Sequence, residues 1–426
     1  MQFTIDDISN AYDINEIDFS NLFMLIACSD YCKNIDESVT ETPLTKYFDM
    51  VNSDDFKKLS NIEKARFSIQ QFKLIEAEDT VNIPERYKLY RVMLKMWKNN
   101  SLNDRKHLKL IISQAPLLFG VWKAIKKIFK EAEAKNDTDI LGAISARLDI
   151  AYSEQQHNSE VGRGTIIYLV RRAWRYLRNI GKNFPSFYCQ SVVDFLKAYP
   201  ENINWKNTWI LNHIFFHKSK KYNSKNFKYN IKFDDFNKYK AFPDLWKRSP
   251  NPLIRLLEES QSSYIFKFAV SLLKNEHLIS LRDISEITLL RLLKKQNPEV
   301  DEFCVWIFNT VPRFEQSKLK ELGLHDAIIE LFKSTNSSAL NFASTYARTY
   351  AKDLPLNQVI ELINHENKEV RDLAISFIME RDPRKDVGLD YWPKLLGTKY
   401  GNLLAEESII KNFSSKELTK DWFYKN

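Results

Sequence analysis

One stretch of the chain places four cationic side chains at helical spacing. Apolar residues recur every three or four positions between residues 165 and 182, and cations follow the same rhythm one position later. These cations are Arg171, Arg175, Arg178 and Lys182. On a helix, that spacing puts the cations in one stripe beside an apolar stripe. Gly181, just after the apolar run, is predicted to end this helix, and Pro185 forbids its continuation. Such a stripe can bind phosphates or acidic side chains. The alternative is that the arginines form ion pairs with a neighbouring helix or cover apolar surface with their stems.

A second basic feature lies between Trp205 and Arg255. This segment has ten lysines and two arginines against three aspartates, within a chain of formal net charge +8. Aromatic residues are interleaved with the lysines, a mixture that can stack bases and neutralise the backbone of single-stranded nucleic acid. The other interpretation is a solvated loop that its aromatic residues pin to the rest of the fold. The candidate contacts here are Lys218, Lys220, Lys221, Lys225 and Lys228.

Two pairs of residues have spacings that could suggest a metal. Cys28 and Cys32 form a C-x3-C pair, but a zinc site needs two further ligands and the next histidine is His107. If residues 18–32 form a helix, the two thiols share one face and behave as small hydrophobes. His213 and His217 lack the glutamate of an H-E-x-x-H motif. We therefore predict no metal ligands.

No motif in the chain indicates catalysis or a cofactor. There is no G-x-x-x-x-G-K-[ST] phosphate loop, no G-x-G-x-x-G and no G-x-S-x-G. The sequence predicts no catalytic residues, no cofactor and a protein that is not an enzyme.

Composition predicts an all-α fold. Only nine glycines occur in 426 residues, which leaves little turn chemistry for a β-rich fold. No stretch has the roughly 18 uncharged apolar residues that span a bilayer, so we expect no membrane contact. The N-terminus carries acidic residues and no signal-peptide pattern, and four cysteines make no disulfide framework. We predict a cytoplasmic location.

The C-terminal third contains an internal repeat. Four helix-like stretches carry a small residue beside bulky apolar ones, and these small residues lie 35, 39 and 31 positions apart: Ala269, Cys304, Ala343 and Ala374. That spacing fits two helices and two turns per unit, as in stacked α-solenoids. The repeat predicts an α-solenoid of antiparallel helix pairs, an architecture that provides extended binding surfaces.

The predicted organisation has four parts. Residues 1–58 form a helical N-terminal cap, residues 59–204 a helical solenoid region, residues 205–255 the basic connector and residues 256–426 the repeats. The aromatic pair Trp422 and Phe423 lies near the end of the sequence. Terminal solenoid units normally have a polar outer face, so we expect these rings to contact a partner.

Three segments in order resemble the helical region of bacterial WGR-domain and HEAT-repeat proteins. They are FGVWKAIKKIFKEAEAKNDTDILGAISARLD from Phe119, TIIYLVRRAWRYLRNIG from Thr165 and AFPDLWKRSPNPLIRLL from Ala241. The resemblance covers about residues 60–410. It implies HEAT-like helix pairs in a bacterial cytoplasmic protein that is one module of a larger assembly or longer chain. It supplies no catalytic residues, and no N-terminal segment resembles the WGR module.

These observations favour a protein–protein interaction scaffold, part of a bacterial multi-component stress or antiviral defence system. The first alternative is a solenoid that binds nucleic acid through the arginine stripe and the basic connector. The second is a HEAT-like DNA glycosylase, which would need a basic groove with aromatic residues and a catalytic carboxylate. The sequence does not indicate an oligomeric state.

Overall fold

In a computed structural model, helices are the only regular secondary structure in the part of the chain that the structure describes, namely residues 2–16, 18–77, 81–217, 219, 236–419 and 422. No strand occurs within these ranges. The prediction of an all-α fold is therefore confirmed. The chain forms two compact units, residues 1–272 and 273–426.

The α-helices are numbered in chain order. Those that begin in the first unit are α1 (Ile5–Asp13), α2 (Phe19–Ala27), α3 (Pro43–Asn52), α4 (Asp54–Lys58), α5 (Asn61–Ala77), α6 (Tyr90–Asn99), α7 (Leu102–Gln114), α8 (Phe119–Lys135), α9 (Thr138–Ser153), α10 (Arg163–Asn183), α11 (Pro185–Leu196), α12 (Ile210–Phe216), α13 (Phe236–Tyr239), α14 (Pro243–Trp246), α15 (Asn251–Glu259) and α16 (Ser263–Glu276). Those of the second unit are α17 (Glu286–Leu293), α18 (Pro298–Thr310), α19 (His325–Ile329), α20 (Ser337–Tyr350), α21 (Leu356–Ile363), α22 (Lys368–Met379) and α23 (Asn402–Asn412). Short 3-10 turns are Glu85–Lys88, Trp205–Asn207, Ser280–Asp283, Pro312–Phe314, Gln316–Lys318, Glu330–Lys333 and Trp392–Leu395, and Pro383–Val387 forms a π turn.

Hairpins of adjacent helices build the centre of the first unit. Helices α6 and α7, α8 and α9, and α10 and α11 pack as pairs. The second helices of successive pairs also contact one another: α9 packs on both α7 and α11. The first helix α6 contacts the next first helix, α8. The first helix α10 contacts α12, which follows the last pair. The buried face of each helix follows the 3.6-residue period: in α8, Ile125, Ile128 and Phe129 are fully buried.

A buried carboxylate fixes the start of α12. Asp149 of α9 is fully buried and accepts hydrogen bonds from the backbone N–H groups of Trp209 (2.6 Å), Ile210 (3.0 Å) and Leu211 (3.2 Å). The Tyr199 hydroxyl donates a fourth bond of 2.7 Å. Burial raises the pKa of Asp149 to about 6, although these four donors favour the ionised form. The carboxylate satisfies N–H groups that a helix start leaves without partners.

Three glycines permit close approach between elements of the first unit. A Cβ on Gly120 of α8 would lie 1.9 Å from the carbonyl oxygen of Arg86, and one on Gly142 of α9 would lie 2.4 Å from that of Asp194. A Cβ on Gly181 of α10 would lie 2.6 Å from the Phe242 ring. Each contact therefore requires the absence of a side chain.

In the second unit, helices α18, α20 and α22 pack in series, since α20 contacts both of the others. An asparagine side chain caps the start of each one: Asn297, Asn336 and Asn367. The four small residues of the sequence repeat lie in α16, α18, α20 and α22, and all four are fully buried. A shorter helix precedes each of the last three, and α17 packs on α18 as α21 packs on α22.

Two local predictions need correction. Helix α2 ends at Ala27, so Cys28 is an exposed C-cap and Cys32 lies outside the helix. The two thiols do not share a helix face. Gly181, predicted to end the arginine-rich helix, is a buried residue within α10, which continues to Asn183 before Pro185 begins α11.

Candidate cationic face

Four cations predicted from the sequence lie together on α10. Arg171, Arg175 and Lys182 are exposed and Arg178 is half-buried, along one stripe of this 21-residue helix. The helix contains no acidic residue. The opposite side of α10 is apolar, with Val170, Ala173 and Leu177 fully buried. At about 1.5 Å rise per residue, the cationic stripe from 171 to 182 is about 16 Å long.

None of these four cations forms an ion pair with the part of the chain that the structure describes. Arg171 instead lies over the Trp209 ring, with its guanidinium carbon 5.1 Å from the ring centroid. Arg172, which the spacing did not select, makes the ion pair with a neighbouring helix: its Nε donates to Glu133 of α8 at 2.7 Å. Within the described ranges, the alternative of ion pairs to a neighbouring helix therefore applies to none of the four cations, whereas the position of Arg171 over Trp209 matches the alternative in which an arginine covers apolar surface.

Two contacts align α8 with α10. Besides the Arg172–Glu133 pair, the Tyr176 hydroxyl donates to Asn136 Oδ1 at 3.2 Å. The residue numbers of both pairs rise together, so the two helices run in the same direction. Lys127 and Lys130 of α8 are exposed, and they too form no ion pair within the described ranges. We call the six side chains Lys127, Lys130, Arg171, Arg175, Arg178 and Lys182 the cationic face.

The lysine side chains of α8 repel one another electrostatically. Burial, together with the ammonium groups of Lys130 and Lys123, lowers the pKa of Lys126 to about 8. Cations of α8 are therefore close enough to raise the cost of one another's charge. The two carboxylates of α8 are engaged elsewhere, Glu133 by Arg172 and Glu131 by the Trp97 indole N–H at 2.7 Å.

Aromatic rings border the face on the side of α12. The His213 ring stacks on Trp174, with centroids 4.8 Å apart and planes inclined by 12°. Burial lowers the pKa of His213 to about 3, and His217 and Arg178 act in the same direction. His213 is therefore neutral at pH 7 and serves as an aromatic packing residue. Tyr168, one turn before Arg171, is 50% exposed, and its hydroxyl accepts from Arg172 at 3.4 Å.

The second helices of the same hairpins carry a different charge arrangement, which we call the ion-pair ladder. Its members are Arg105 and Lys109 of α7, Asp137 and Asp139 at the start of α9, Asp194 and Lys197 at the end of α11, and Arg255 and Glu259 of α15.

The ladder joins four helices through shared partners. The Arg105 guanidinium donates two hydrogen bonds of 2.7 Å to Asp137 and one of 3.0 Å to Asp139. Lys197 contacts Asp139, Asp194 and Glu259 at 3.0–3.1 Å. Neighbouring cations hold the pKa of Asp137, Asp139 and Glu259 below their usual values, although burial opposes this.

Of the remaining predicted contacts, the structure describes only Trp422. Lys218, Lys220, Lys221, Lys225, Lys228 and Phe423 are outside the described residues. Trp422 is half-buried in the second unit, and its backbone N–H donates to the Thr419 hydroxyl at 3.2 Å.

Sequence reasoning missed Lys127, Lys130 and Tyr168 as part of the surface. The lysines opposite the apolar side of the segment from Phe119 were visible in the sequence. Their position beside α10 follows from packing between distant parts of the chain, which no local pattern encodes.

A groove in the second unit is a weaker candidate. It has a volume of about 450 Å³ between α20 and α22. Arg348 and Lys352 face Asp372 and Glu380 there, and Lys352 approaches Glu380 to 3.3 Å. The balanced charges give this groove no preference for an anion or a cation.

Comparisons with known proteins give no further guidance. No protein-family model, curated protein or solved structure matches the chain. Within the described ranges, no three His, Cys, Asp or Glu side chains gather into a group suited to a metal ion. The helices described include none that is long and apolar enough to cross a membrane.

Proposed function

We propose that this chain is a non-catalytic scaffold that holds an anionic macromolecule on the cationic face. The observation that carries the proposal is the state of these six cations, which are accessible and have no ion pair within the described chain. The carboxylates on α8 are already engaged by Arg172 and Trp97. A concentrated positive surface without internal counter-charge attracts anionic partners.

The proposed architecture is a solenoid of HEAT-like helix pairs. Two features support it: the consecutive hairpins α6–α7, α8–α9 and α10–α11, and the serial packing of α18, α20 and α22. The sequence resemblance extends the proposal to a cytoplasmic subunit of a bacterial multi-component stress or antiviral defence system.

Affinity purification of the tagged full chain from its native host tests the function. The wild type is compared with Arg175→Glu and with a matched reversal, Lys106→Glu, at an exposed position of α7. We expect a stoichiometric partner with the wild type and with Lys106→Glu, and its loss with Arg175→Glu. Equal recovery by all three proteins would contradict the role of the cationic face.

The repeat register has its own test. Ala343 is fully buried in α20 between α18 and α22. Ala343→Leu should overpack this crossing and destabilise the protein by about 1 to 3 kcal/mol. Thermal unfolding, with Asn341→Leu at an exposed position of the same helix as control, measures this. An unchanged melting temperature for Ala343→Leu would contradict the register.

A further inference from the structure

We infer that the cationic face binds single-stranded nucleic acid, with the strand lying across α8 and α10. This inference rests on the proposed function and names its partner. The first step is charge: Arg171, Arg175, Arg178 and Lys182 follow one helix, and Lys127 and Lys130 lie on the next. Cations in this number neutralise a phosphate backbone, which supplies the sequence-independent part of nucleic-acid affinity.

The second step is the combination of cations with rings. Tyr168 lies one turn from Arg171, and the residue is 50% exposed. On its other side Arg171 covers Trp209 at 5.1 Å, so an aromatic ring and a guanidinium plane border the same stripe. Unstacked bases pack on such planes. An acidic protein segment would use the cations but would have no specific need for the ring.

The third step is the setting of α10. A helix that reads duplex DNA enters the major groove, which requires it to project from the protein. Helix α10 instead packs against α9, α11 and α12, and its contacts through Arg172 and Tyr176 tie it to α8. Only its outer stripe is accessible. A flexible single strand can follow that surface, whereas a rigid duplex cannot enclose the helix.

Both acidic residues of α8 have hydrogen-bond partners within the fold. Glu133 is held by Arg172, whose Nε donates at 2.7 Å, and Glu131 accepts from Trp97. Helices α10 and α12 contain no carboxylate. The ladder carboxylates belong to α9, α11 and α15 and already bind cations of their own.

Fluorescence anisotropy with the full chain tests the inference. The probes are a labelled single-stranded RNA and a single-stranded DNA of about 20 nucleotides, with a duplex of the same sequence as comparison. We expect the single strands to bind more tightly than the duplex. The logarithm of affinity should fall with the logarithm of salt concentration with a slope of about −0.7 per phosphate contact. Arg175→Ala should make the slope shallower by about 0.7, and Lys106→Ala should leave it unchanged.

Stacking is tested separately from charge. Tyr168→Leu should weaken single-strand binding by about 5- to 150-fold, the equivalent of losing one stacked base. Tyr168→Phe retains the ring and should bind as the wild type does. Circular dichroism of each variant establishes that the helices are intact.

Three outcomes would overturn the inference: no binding of the single strands, equal losses for Arg175→Ala and Lys106→Ala, or duplex binding as tight as single-strand binding. Competition by polyglutamate as effective as competition by RNA would also overturn it, in favour of an acidic protein. A nuclease-resistant protein partner lost with Arg175→Glu would then leave the proposed function standing without the nucleic-acid assignment.

Discussion

The first unit carries its charges in two different ways on the two rows of its hairpins. On α7, α9, α11 and α15, each cation of the ion-pair ladder contacts at least one carboxylate, and several share two. On α8 and α10, five exposed cations and the half-buried Arg178 have no carboxylate partner in the described chain. The ladder therefore uses its charge within the fold, while the cationic face leaves its charge available. Cations that no carboxylate of the described chain neutralises are therefore the better candidates for binding an anionic partner.

The largest loss of stability is expected at the buried carboxylate of Asp149. This residue of α9 holds the start of α12, which borders the cationic face. Asp149→Ala removes both acceptor oxygens and leaves three backbone N–H groups and the Tyr199 hydroxyl without their acceptor, so we expect a loss of about 3 to 5 kcal/mol in the free energy of unfolding. Urea denaturation measures it. Asp149→Asn retains one acceptor oxygen and should lose less, and an alanine variant as stable as the wild type would contradict this role.

A smaller loss is expected within the ladder. Asp139 accepts from Arg105, Lys109 and Lys197, so Asp139→Ala should cost about 2 kcal/mol. Glu201→Ala, at an exposed carboxylate that forms no ion pair within the described ranges, is the matched control and should stay within about 0.5 kcal/mol of the wild type. If both variants unfold at the same urea concentration, the ladder contributes nothing and the contrast with the cationic face is lost.

The pH dependence of the unfolding free energy tests the contribution of the ladder carboxylates. Because the pKa values of Asp137, Asp139 and Glu259 are lowered in the fold, their stabilisation is fully present above the unfolded values of about 4. It is lost as the pH falls below that range through the folded values. The difference in unfolding free energy between wild type and Asp139→Asn should therefore shrink from pH 7 to pH 3. A difference that stays constant would show that the Asp139 charge is unimportant.

The smallest expected effect on stability lies on the cationic face. Arg175→Glu should change the free energy of unfolding by no more than about 0.5 kcal/mol, because Arg175 is exposed and has no ion pair with any described residue to lose. The same variant is expected to abolish partner recovery. Thermal unfolding of Arg175→Glu beside Lys106→Glu checks this, and a large drop for Arg175→Glu alone would mean that its charge supports the fold.

Much of the local structure could be predicted from the sequence. Few glycines and a 3.6-residue period gave the all-α class, and the repeat placed Ala269, Cys304, Ala343 and Ala374 correctly inside buried helix faces. The arginine stripe was predicted on one helix, where it lies. These features depend on neighbours within a few residues, so the sequence contains them directly.

What escaped prediction depends on packing between distant segments. Nothing local distinguishes Arg172, which pairs with Glu133, from Arg171, which lies over Trp209. Gly181 resembled a helix stop because its contact with Phe242, 61 residues later in the chain, is invisible in the local pattern. The partner of each charge is decided by which helices become neighbours.

The glycines at the helix contacts make the hairpins of the first unit non-interchangeable. Gly120 faces the backbone at Arg86, Gly142 faces the backbone at Asp194, and Gly181 faces the Phe242 ring. Each of these close contacts therefore has its glycine at a different position and a different partner. Repeat proteins built from a shared consensus can be lengthened or shortened by copying modules. Here a duplicated or transplanted hairpin would bring a Cβ against a carbonyl at a foreign junction. The order of the hairpins is therefore built into the sequence, through contacts that extend from Arg86 to Phe242.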